Sequence, residues 1–234
     1  MRHIHLDRLF ALVDEPPARR ISQIQVPSRS GACGLTKLET IALVGAMRVV
    51  HARRVFEFGS FLSITTLNFA LNVPPDGSVL TLDLGADCAP RANQHPASGP
   101  LTEIHLKAGG LDFVDSEVAD KITALSGDST SFDFGPWKNS MDLVFIEGGH
   151  SIDALSVGTE NAFAIIAKDK PACILWHGHR NSKYPLLSTH LQQIFEAIPV
   201  FHIGDTNLWA YFNDPQQKIQ ARLQERESGM PLAA

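Results

Sequence analysis

The sequence has few of the features that mark secreted or membrane proteins. Only 3 of its 234 residues are cysteines, and no two of them form a C-x-x-C pair. Their spacing excludes a disulfide framework or a zinc knuckle. No run approaches the roughly 20 apolar residues of a membrane span, and the first residues form no apolar signal core. We therefore expect a cytoplasmic protein with no membrane partner.

Positive charge is also scarce. The chain carries 20 lysines and arginines against 25 aspartates and glutamates, and its formal net charge is −5. The basic residues are scattered rather than gathered in a stripe, which disfavours a nucleic-acid partner. With 44% hydrophobic residues, the chain is long enough for one sizeable core, so we predict a single domain over residues 1–234. The sequence is compatible with either a monomer or a homo-oligomer.

The sequence does contain a β-α-β unit between Arg54 and Asp83. A short apolar run ends at Gly59, and a segment with helical spacing follows it. The turn signal at 74–77 ends this helix, and a second β-rich run ends at Asp83. A crossover helix implies parallel strands, and parallel sheets bind ligands at the carboxyl ends of their strands. Gly59 and Asp83 both lie at that edge.

The turn after the first strand lacks a dinucleotide fingerprint. Where nicotinamide and flavin folds have G-x-G-x-x-G, this chain has Gly59, Phe61 and Ile64. A bulky Phe61 suits a ligand without phosphates. Such folds place a ribose-binding acid roughly 20 residues after this glycine, and Asp83 stands at about that distance from Gly59. Ribose recognition without a pyrophosphate indicates S-adenosylmethionine.

This segment resembles the class I S-adenosylmethionine-dependent methyltransferases, in particular their small-molecule O-methyltransferase-like branch. The first motif of that branch reads roughly E-I-G-T-x-x-G-x-T-T-L, and it is matched by Glu57, Gly59, Thr65, Thr66 and Leu67. Ser63 stands where the second glycine is usual. The resemblance implies an α/β, Rossmann-like, doubly wound sheet that is mostly parallel and has an antiparallel C-terminal hairpin strand.

The resemblance also implies S-adenosylmethionine as the cofactor. We expect contacts to it from Glu57, Gly59, Phe61, Ser63, Thr65, Asp83, Leu84, Asp128, Ser129 and Glu147. In the family, the G-D-S after the third strand lies beside the adenine, which gives Asp128 and its neighbour Ser129 that role. The alternative for these two residues is an ordinary strand-to-helix turn in which one of them caps the helix.

Spacing near the C-terminus supports the resemblance independently. Two predicted strands, 200–203 and 208–212, are joined by only four residues. Parallel neighbours need a dozen or more residues between them, so these strands must form a hairpin. The methyltransferase sheet has an antiparallel terminal strand, and the nicotinamide fold lacks one.

The remaining segments belong to the same domain. Residues 1–33 are expected to be an N-terminal helical segment, 84–121 a lid-like insertion and 214–234 a C-terminal tail. Between the first of these and the β-α-β unit, Thr36 and Glu39 match the S/T-x-x-E capping box, which predicts a helix to about His51.

Histidines dominate the ends of the fourth and fifth predicted strands. The family has D-G-x-H and W-H-D-Y there, whereas this chain has Glu147 for the first aspartate and Gly178 for the second. Losing that carboxylate disfavours a magnesium site, so we predict no metal and take His150 as the general base for the acceptor hydroxyl. The alternative is a transition-metal site formed by Glu147, His150, His177 and His179.

These expectations define a leading function and its competitors. The leading one is S-adenosylmethionine-dependent O-methylation of a small-molecule hydroxyl. The alternative is a catalytically weakened protein that binds S-adenosylmethionine without turnover, which the missing carboxylate at Gly178 invites. A nicotinamide-dependent oxidoreductase is disfavoured by the single glycine and the terminal hairpin. A hydrolase is disfavoured because no G-x-S-x-G elbow follows a strand.

Overall fold

The computed structural model describes residues 2–13, 35–60, 63–84, 116–147, 151–178, 185–219 and 221–222. Within these ranges the strands are β1 (Arg2–Ile4), β2 (Arg54–Phe58), β3 (Ser78–Asp83), β4 (Ile122–Ser126), β5 (Leu143–Ile146), β6 (Ala172–His177), β7 (Val200–Ile203) and β8 (Leu208–Asn213). The α-helices are α1 (Leu6–Ala11), α2 (Lys37–Val49), α3 (Ile64–Asn72), α4 (Ile152–Ile165) and α5 (Pro185–Ala197). Short 3₁₀ turns cover Ala119–Lys121 and Gly135–Trp137.

The strands form one mixed sheet in the order β1-β7-β8-β6-β5-β2-β3-β4. The pairs from β6 through β5, β2 and β3 to β4 are all parallel. Strand β8 runs antiparallel to both β6 and β7, as the four-residue link predicts. The predicted doubly wound, mostly parallel sheet with an antiparallel hairpin strand is confirmed.

Strand order reverses between β2 and β5. From β2 the chain continues to β3 and β4 on one side, and then returns to place β5 and β6 on the other. Loops that leave β2 and β5 therefore diverge and open a crevice at the carboxyl ends of these strands. In open α/β sheets, this switch point is where ligands bind.

The sheet divides the core in two, because successive strand side chains point to opposite faces. Val55 and Val79 pack with the α1, α2 and α3 side, whereas Phe56 and Leu80 pack with the α4 and α5 side. Both faces of β5 are buried, as its unbroken apolar run predicts. Because the strands are packed on both faces, the backbone of the sheet fixes the positions of the side chains at the strand ends.

The N-terminal segment differs from expectation at its start. Residues 2–4 form strand β1, which adds in parallel to β7 at the edge of the sheet, and the helix predicted after it is α1. The description of this segment as helical is therefore wrong for residues 2–4. A three-residue run with two polar side chains and one apolar side chain carries too little apolar pattern to predict a strand.

Parts of the predicted segments lie outside the described residues: 14–34 of the N-terminal segment, 85–115 of the lid-like insertion and 223–234 of the tail. The end of the insertion forms the 3₁₀ turn at Ala119–Lys121. In the described part of the tail, Arg222 donates to the carbonyl oxygens of Ala11 and Leu12 at the end of α1. No helix in the described ranges has the length and apolarity to cross a membrane.

Candidate functional site at the carboxyl edge of the sheet

Two described residues of the turn between β2 and α3 have left-handed backbone conformations. Gly59 has a φ of 85°, which lies in the left-handed region that favours glycine. Ser63 has a φ of 58°, and its side chain is fully buried. This left-handed conformation explains why the methyltransferase motif has glycine at the position of Ser63. The expected contact residue Phe61 lies outside the described residues.

Glu57 is buried directly beneath this turn. One carboxylate oxygen, Oε2, accepts hydrogen bonds from the hydroxyls of Thr66 and Thr81, the latter at 2.8 Å. The other oxygen, Oε1, is buried and has no hydrogen-bond partner among the residues the structure describes. A buried acceptor left in this state is costly unless a ligand or water completes it.

Burial raises the pKa of Glu57 to about 8, against the opposing effect of the two threonine hydrogen bonds. The nearby carboxylates of Glu147 and Asp83 raise it further by repulsion. The side chain therefore holds a proton at neutral pH in the absence of a cation. A positively charged ligand group at Oε1 would favour the ionised form.

Asp83 ends the neighbouring strand and faces the same turn. Its Oδ2 accepts from the backbone N–H of Ser60 at 2.9 Å and from the Ser60 hydroxyl at 2.7 Å, and its Oδ1 accepts from the N–H of Leu84 at 2.7 Å. Asp83 thus ties the end of β3 to the turn after β2. Recognition of ribose hydroxyls by Asp83 stays a prediction. Leu84 is 40% exposed beside it.

Asp128 and Ser129 follow β4 at the same edge, since Gly127 N–H donates to the carbonyl oxygen of Asp83 at 2.9 Å. The Asp128 Oδ1 accepts from both the N–H and the hydroxyl of Thr130, which makes a side-chain-closed turn. The alternative interpretation was a turn at Asp128 and Ser129 that leads into a helix. The turn is present, but no helix begins here. Adenine recognition by Asp128 and Ser129 stays a prediction.

Glu147 lies at the end of β5, across the switch point from Glu57. Its Oε2 accepts from the Thr65 hydroxyl at 3.3 Å, and its Oε1 lies 3.7 Å from Nδ1 of His177 at the end of β6. Burial raises the pKa of Glu147, while attraction to His177 and the Thr65 hydrogen bond oppose that rise. Two of the expected cofactor contacts, Thr65 and Glu147, thus touch each other.

His177 is held between two carboxylates. Its Nε2 lies 3.5 Å from Oε1 of Glu39, and its Nδ1 faces Glu147. Burial alone would lower the pKa of His177, but the hydrogen bond with Glu39 and attraction to both acids outweigh burial and raise it. A histidine whose pKa is raised by two acids in this way is poorly suited to act as a general base.

The sequence indicated only half of the role of Glu39. As predicted, it completes a capping box with Thr36 at the start of α2, where its Oε2 accepts from the Thr36 N–H at 2.8 Å. Its other oxygen accepts from the backbone N–H of Asn207 at 2.9 Å and faces His177. Although burial raises the pKa of Glu39, these donors lower it to about 2. The capping box in the sequence gives no sign of this second role.

Two proposed histidines, His150 and His179, lie outside the described residues, so the base assignment stays a prediction. Gly178, which replaces the second family carboxylate, has a φ of 93° and open space where a Cβ would lie. Across the described ranges, no group of three or more histidine, cysteine, aspartate or glutamate side chains is arranged to hold a metal ion. Of the alternative metal set, Glu147 and His177 are adjacent.

No protein-family model matches this chain, and no curated protein does either. Solved structures do. The chain is similar to the O-methyltransferase TomG from Streptomyces achromogenes, solved with S-adenosylmethionine, with 16% identity, TM-score 0.50, and coverage of 76% of this chain and 79% of that one. It is also similar to the Podospora anserina methyltransferase PaMTH1, solved with S-adenosylhomocysteine, with 12% identity, TM-score 0.52 and coverage of 77% and 80%.

A methyltransferase from Geobacter sulfurreducens gives the same TM-score of 0.52, with 14% identity over 77% of this chain and 80% of that one. At these identities the likeness concerns the fold. The chain therefore has the class I methyltransferase fold, in agreement with the strand order and the antiparallel β8.

Proposed function

We propose that this protein is an S-adenosylmethionine-dependent methyltransferase that acts on a hydroxyl group of a small molecule. The observation that carries the proposal is the buried Glu57 carboxyl, with an oxygen that no described residue satisfies, under the left-handed turn at the switch point of a class I methyltransferase fold. A cationic adenosyl ligand fits this arrangement in charge, because the sulfonium and the amino group of S-adenosylmethionine are both positive.

The other acids at this edge support a cation and oppose a diphosphate. Asp83 and Glu147 both add negative potential around Glu57, because each raises the pKa of Glu57 by repelling its ionised form. A nicotinamide or flavin dinucleotide would bring two phosphate charges into this cluster. The proposed contacts are therefore Glu57 to the cationic part of the ligand, Asp83 to the ribose, and Leu84 with Asp128 and Ser129 around the adenine.

S-adenosylmethionine, when bound, supplies a methyl group on a sulfur that is its own leaving group. The protein then has to hold the acceptor oxygen in line with that methyl group and to remove the hydroxyl proton. We assign proton removal to His150, because His177 is bound between two carboxylates. His177 instead holds Glu147 in place from the neighbouring strand β6. The proposal includes no metal.

The proposal of a small-molecule acceptor is supported by TomG, an O-methyltransferase involved in tomaymycin synthesis. The net charge of −5 supports this over a nucleic-acid acceptor. The same proposal places the protein in the cytoplasm as a single domain over residues 1–234.

Calorimetric titration with S-adenosylmethionine and S-adenosylhomocysteine tests binding, and mass spectrometry across a panel of phenols, sugars and polyketides tests turnover. The proposal predicts saturable binding and a product heavier by one methyl group. Binding without any product across the panel would favour the non-catalytic alternative. Absence of binding would overturn both.

The assignment of the base has its own test once an acceptor is found. His150→Ala should lower turnover by about 100-fold or more while leaving affinity for S-adenosylmethionine nearly unchanged. His51→Asn is the matched control, because His51 is exposed and precedes β2, at the amino end of the parallel strands and so at the opposite edge from the crevice. Wild-type turnover in His150→Ala would remove His150 as the base.

A further inference from the structure

A pair of histidines lies on the edge strand β1 and its neighbour β7, to one side of the crevice between β2 and β5. In the parallel register of β1 and β7, His3 lies directly opposite His202, and their Nδ1 atoms are 3.1 Å apart. The two rings are nearly perpendicular, with an interplanar angle of 83°. Such a contact requires one nitrogen to present a lone pair to the other.

The turn after β7 determines which nitrogen that is. His202 Nε2 lies 2.8 Å from the carbonyl oxygen of Thr206, and because a carbonyl can only accept, Nε2 carries the hydrogen. Thr206 is itself fixed, since its hydroxyl donates to the carbonyl of Ile203 and accepts from the N–H of Leu208. A neutral His202 therefore presents the lone pair of Nδ1 to His3.

A pocket of about 210 Å³ opens beside this pair, lined by His3, Ile4, His5, His202, Gly204 and Asp205. His202 is only 2% exposed, whereas His3 and His5 are exposed. His5 follows β1 as the N-cap residue of α1 and lines the same pocket. Imidazole lone pairs beside the carboxylate of Asp205 form a lining that attracts a cation.

We propose that His3 and His202 bind a divalent transition-metal ion of the kind that prefers imidazole, such as Zn²⁺, through their Nδ1 atoms. Two nitrogen ligands of a tetrahedral zinc ion lie about 3.4 Å apart, so the observed spacing needs little change. The bond from His202 Nε2 to a backbone carbonyl is the second interaction that metal-binding histidines usually have. His3 Nδ1 donates to His202 in the metal-free protein, so metal binding shifts the His3 ring proton to Nε2, and rotation of the exposed ring then turns the Nδ1 lone pair toward the ion.

The protein supplies two direct ligands in this site, because no three suitable side chains of the described part converge on one point. Asp205 adds negative charge next to the ion, and water completes the coordination. The site lies at the end of β7, two strands beyond β6, and is roughly 10 Å or more from His177 at the usual strand spacing. It is therefore separate from the crevice, and the ion would pin the three-residue edge strand β1 onto β7.

The test is a calorimetric titration of the full chain, free of any polyhistidine tag, with Zn²⁺ alone. We expect one ion per chain, and an affinity at least tenfold weaker in both His3→Gln and His202→Gln. His51→Asn is the matched control, because it removes an exposed histidine outside the pocket at a left-handed position, φ 50°, that asparagine tolerates. It should bind as the wild type does.

A second measurement tests the site without depending on His202→Gln, because that variant changes a buried side chain in a packed turn. Amide hydrogen exchange should show that Zn²⁺ slows exchange in β1 of the wild type and not in His3→Gln, whose changed side chain is exposed. No stoichiometric zinc binding by the wild type would overturn the proposal. Equal affinity in the wild type and His3→Gln would overturn it as well, by placing the ion elsewhere.

Discussion

Two buried glutamates at the same edge of the sheet have opposite electrostatics. Glu39 is 2% exposed and Glu57 is fully buried, yet the pKa of Glu39 is lowered to about 2 while that of Glu57 is raised to about 8. Burial raises both values. The difference lies in the donors, because Glu39 faces a histidine and two backbone N–H groups, whereas Glu57 has two neutral hydroxyls.

The comparison shows what each residue is built to do. Glu39 is fully compensated by the protein, so it serves the fold by joining the start of α2 to the ends of β6 and β8. Glu57 is left partly uncompensated at the switch point, which is where a ligand binds in this class of sheet. An unsatisfied buried carboxyl is tolerable for a protein whose ligand completes it.

The largest expected effect comes from replacing Glu39, the glutamate whose charge the protein compensates. Glu39→Ala should lower the free energy of unfolding by about 3 kcal/mol, because it removes a helix cap and leaves His177 without its main partner. Chemical denaturation measures this. Glu160→Ala, an exposed change on α4, is the control and should stay within about 0.5 kcal/mol of wild type. A loss at Glu39 no larger than the control would show that the buried contacts are not stabilising.

Next in size is the loss of the acid beside Glu57. Asp83→Ala should weaken S-adenosylmethionine binding by about 30-fold, near 2 kcal/mol, because ribose hydroxyls lose a charged acceptor and the turn loses its tie to β3. Calorimetry measures the affinity. Asp120→Ala, at an exposed position near the opposite edge of the sheet, should bind as wild type does. Equal affinity in the two variants would remove Asp83 from the site.

The smallest effect, counted for each pH unit, is a pH dependence of about 1 kcal/mol that separates the two glutamates. The folded pKa of Glu57, about 8, lies above its ordinary value of 4.5, so between these limits the folded chain holds a proton that the unfolded chain releases. Stability from Glu57 is therefore present below pH 4.5 and is lost as pH rises to 8. The lowered pKa of Glu39, about 2, gives the reverse: its contribution is present above pH 4.5 and is lost as pH falls toward 2.

Chemical denaturation of wild type and Glu57→Gln at several pH values isolates the contribution of Glu57 to the free energy of unfolding. From pH 5 to 7.5, we expect wild type to lose about 1 kcal/mol per pH unit relative to Glu57→Gln. Glu160→Gln should keep the wild-type slope. Parallel curves for wild type and Glu57→Gln would mean that Glu57 is ionised in the folded chain.

Local patterns predicted the fold well. The β2-α3-β3 unit, the capping box of α2 and the terminal hairpin each depend on residues within a few positions of one another, so the sequence displays them directly. Strand β1 was missed because its three residues gain their stability from β7, almost 200 positions away. A short edge strand of this kind has no apolar alternation to reveal it.

The site was predictable only in part for the same reason. Glu57, Gly59, Ser63 and Asp83 belong to one contiguous motif, and the structure brings them together. The partnership of Glu39 with His177 and Asn207 joins three distant segments, and a capping box gives no sign of it. Ser60, which Asp83 holds, was likewise missed, because its role appears only once the ends of β2 and β3 are side by side.

The most direct test of the account is a calorimetric titration of S-adenosylmethionine at pH 6.5 in buffers of different ionisation enthalpy, with wild type and Glu57→Gln. We predict saturable binding to the wild type with release of about one proton, since Glu57 is protonated in the free protein and ionises against a cationic ligand. Glu57→Gln should bind more weakly and release none. No binding by the wild type, or binding with the same heat in every buffer, would contradict the assignment of this edge as the S-adenosylmethionine site.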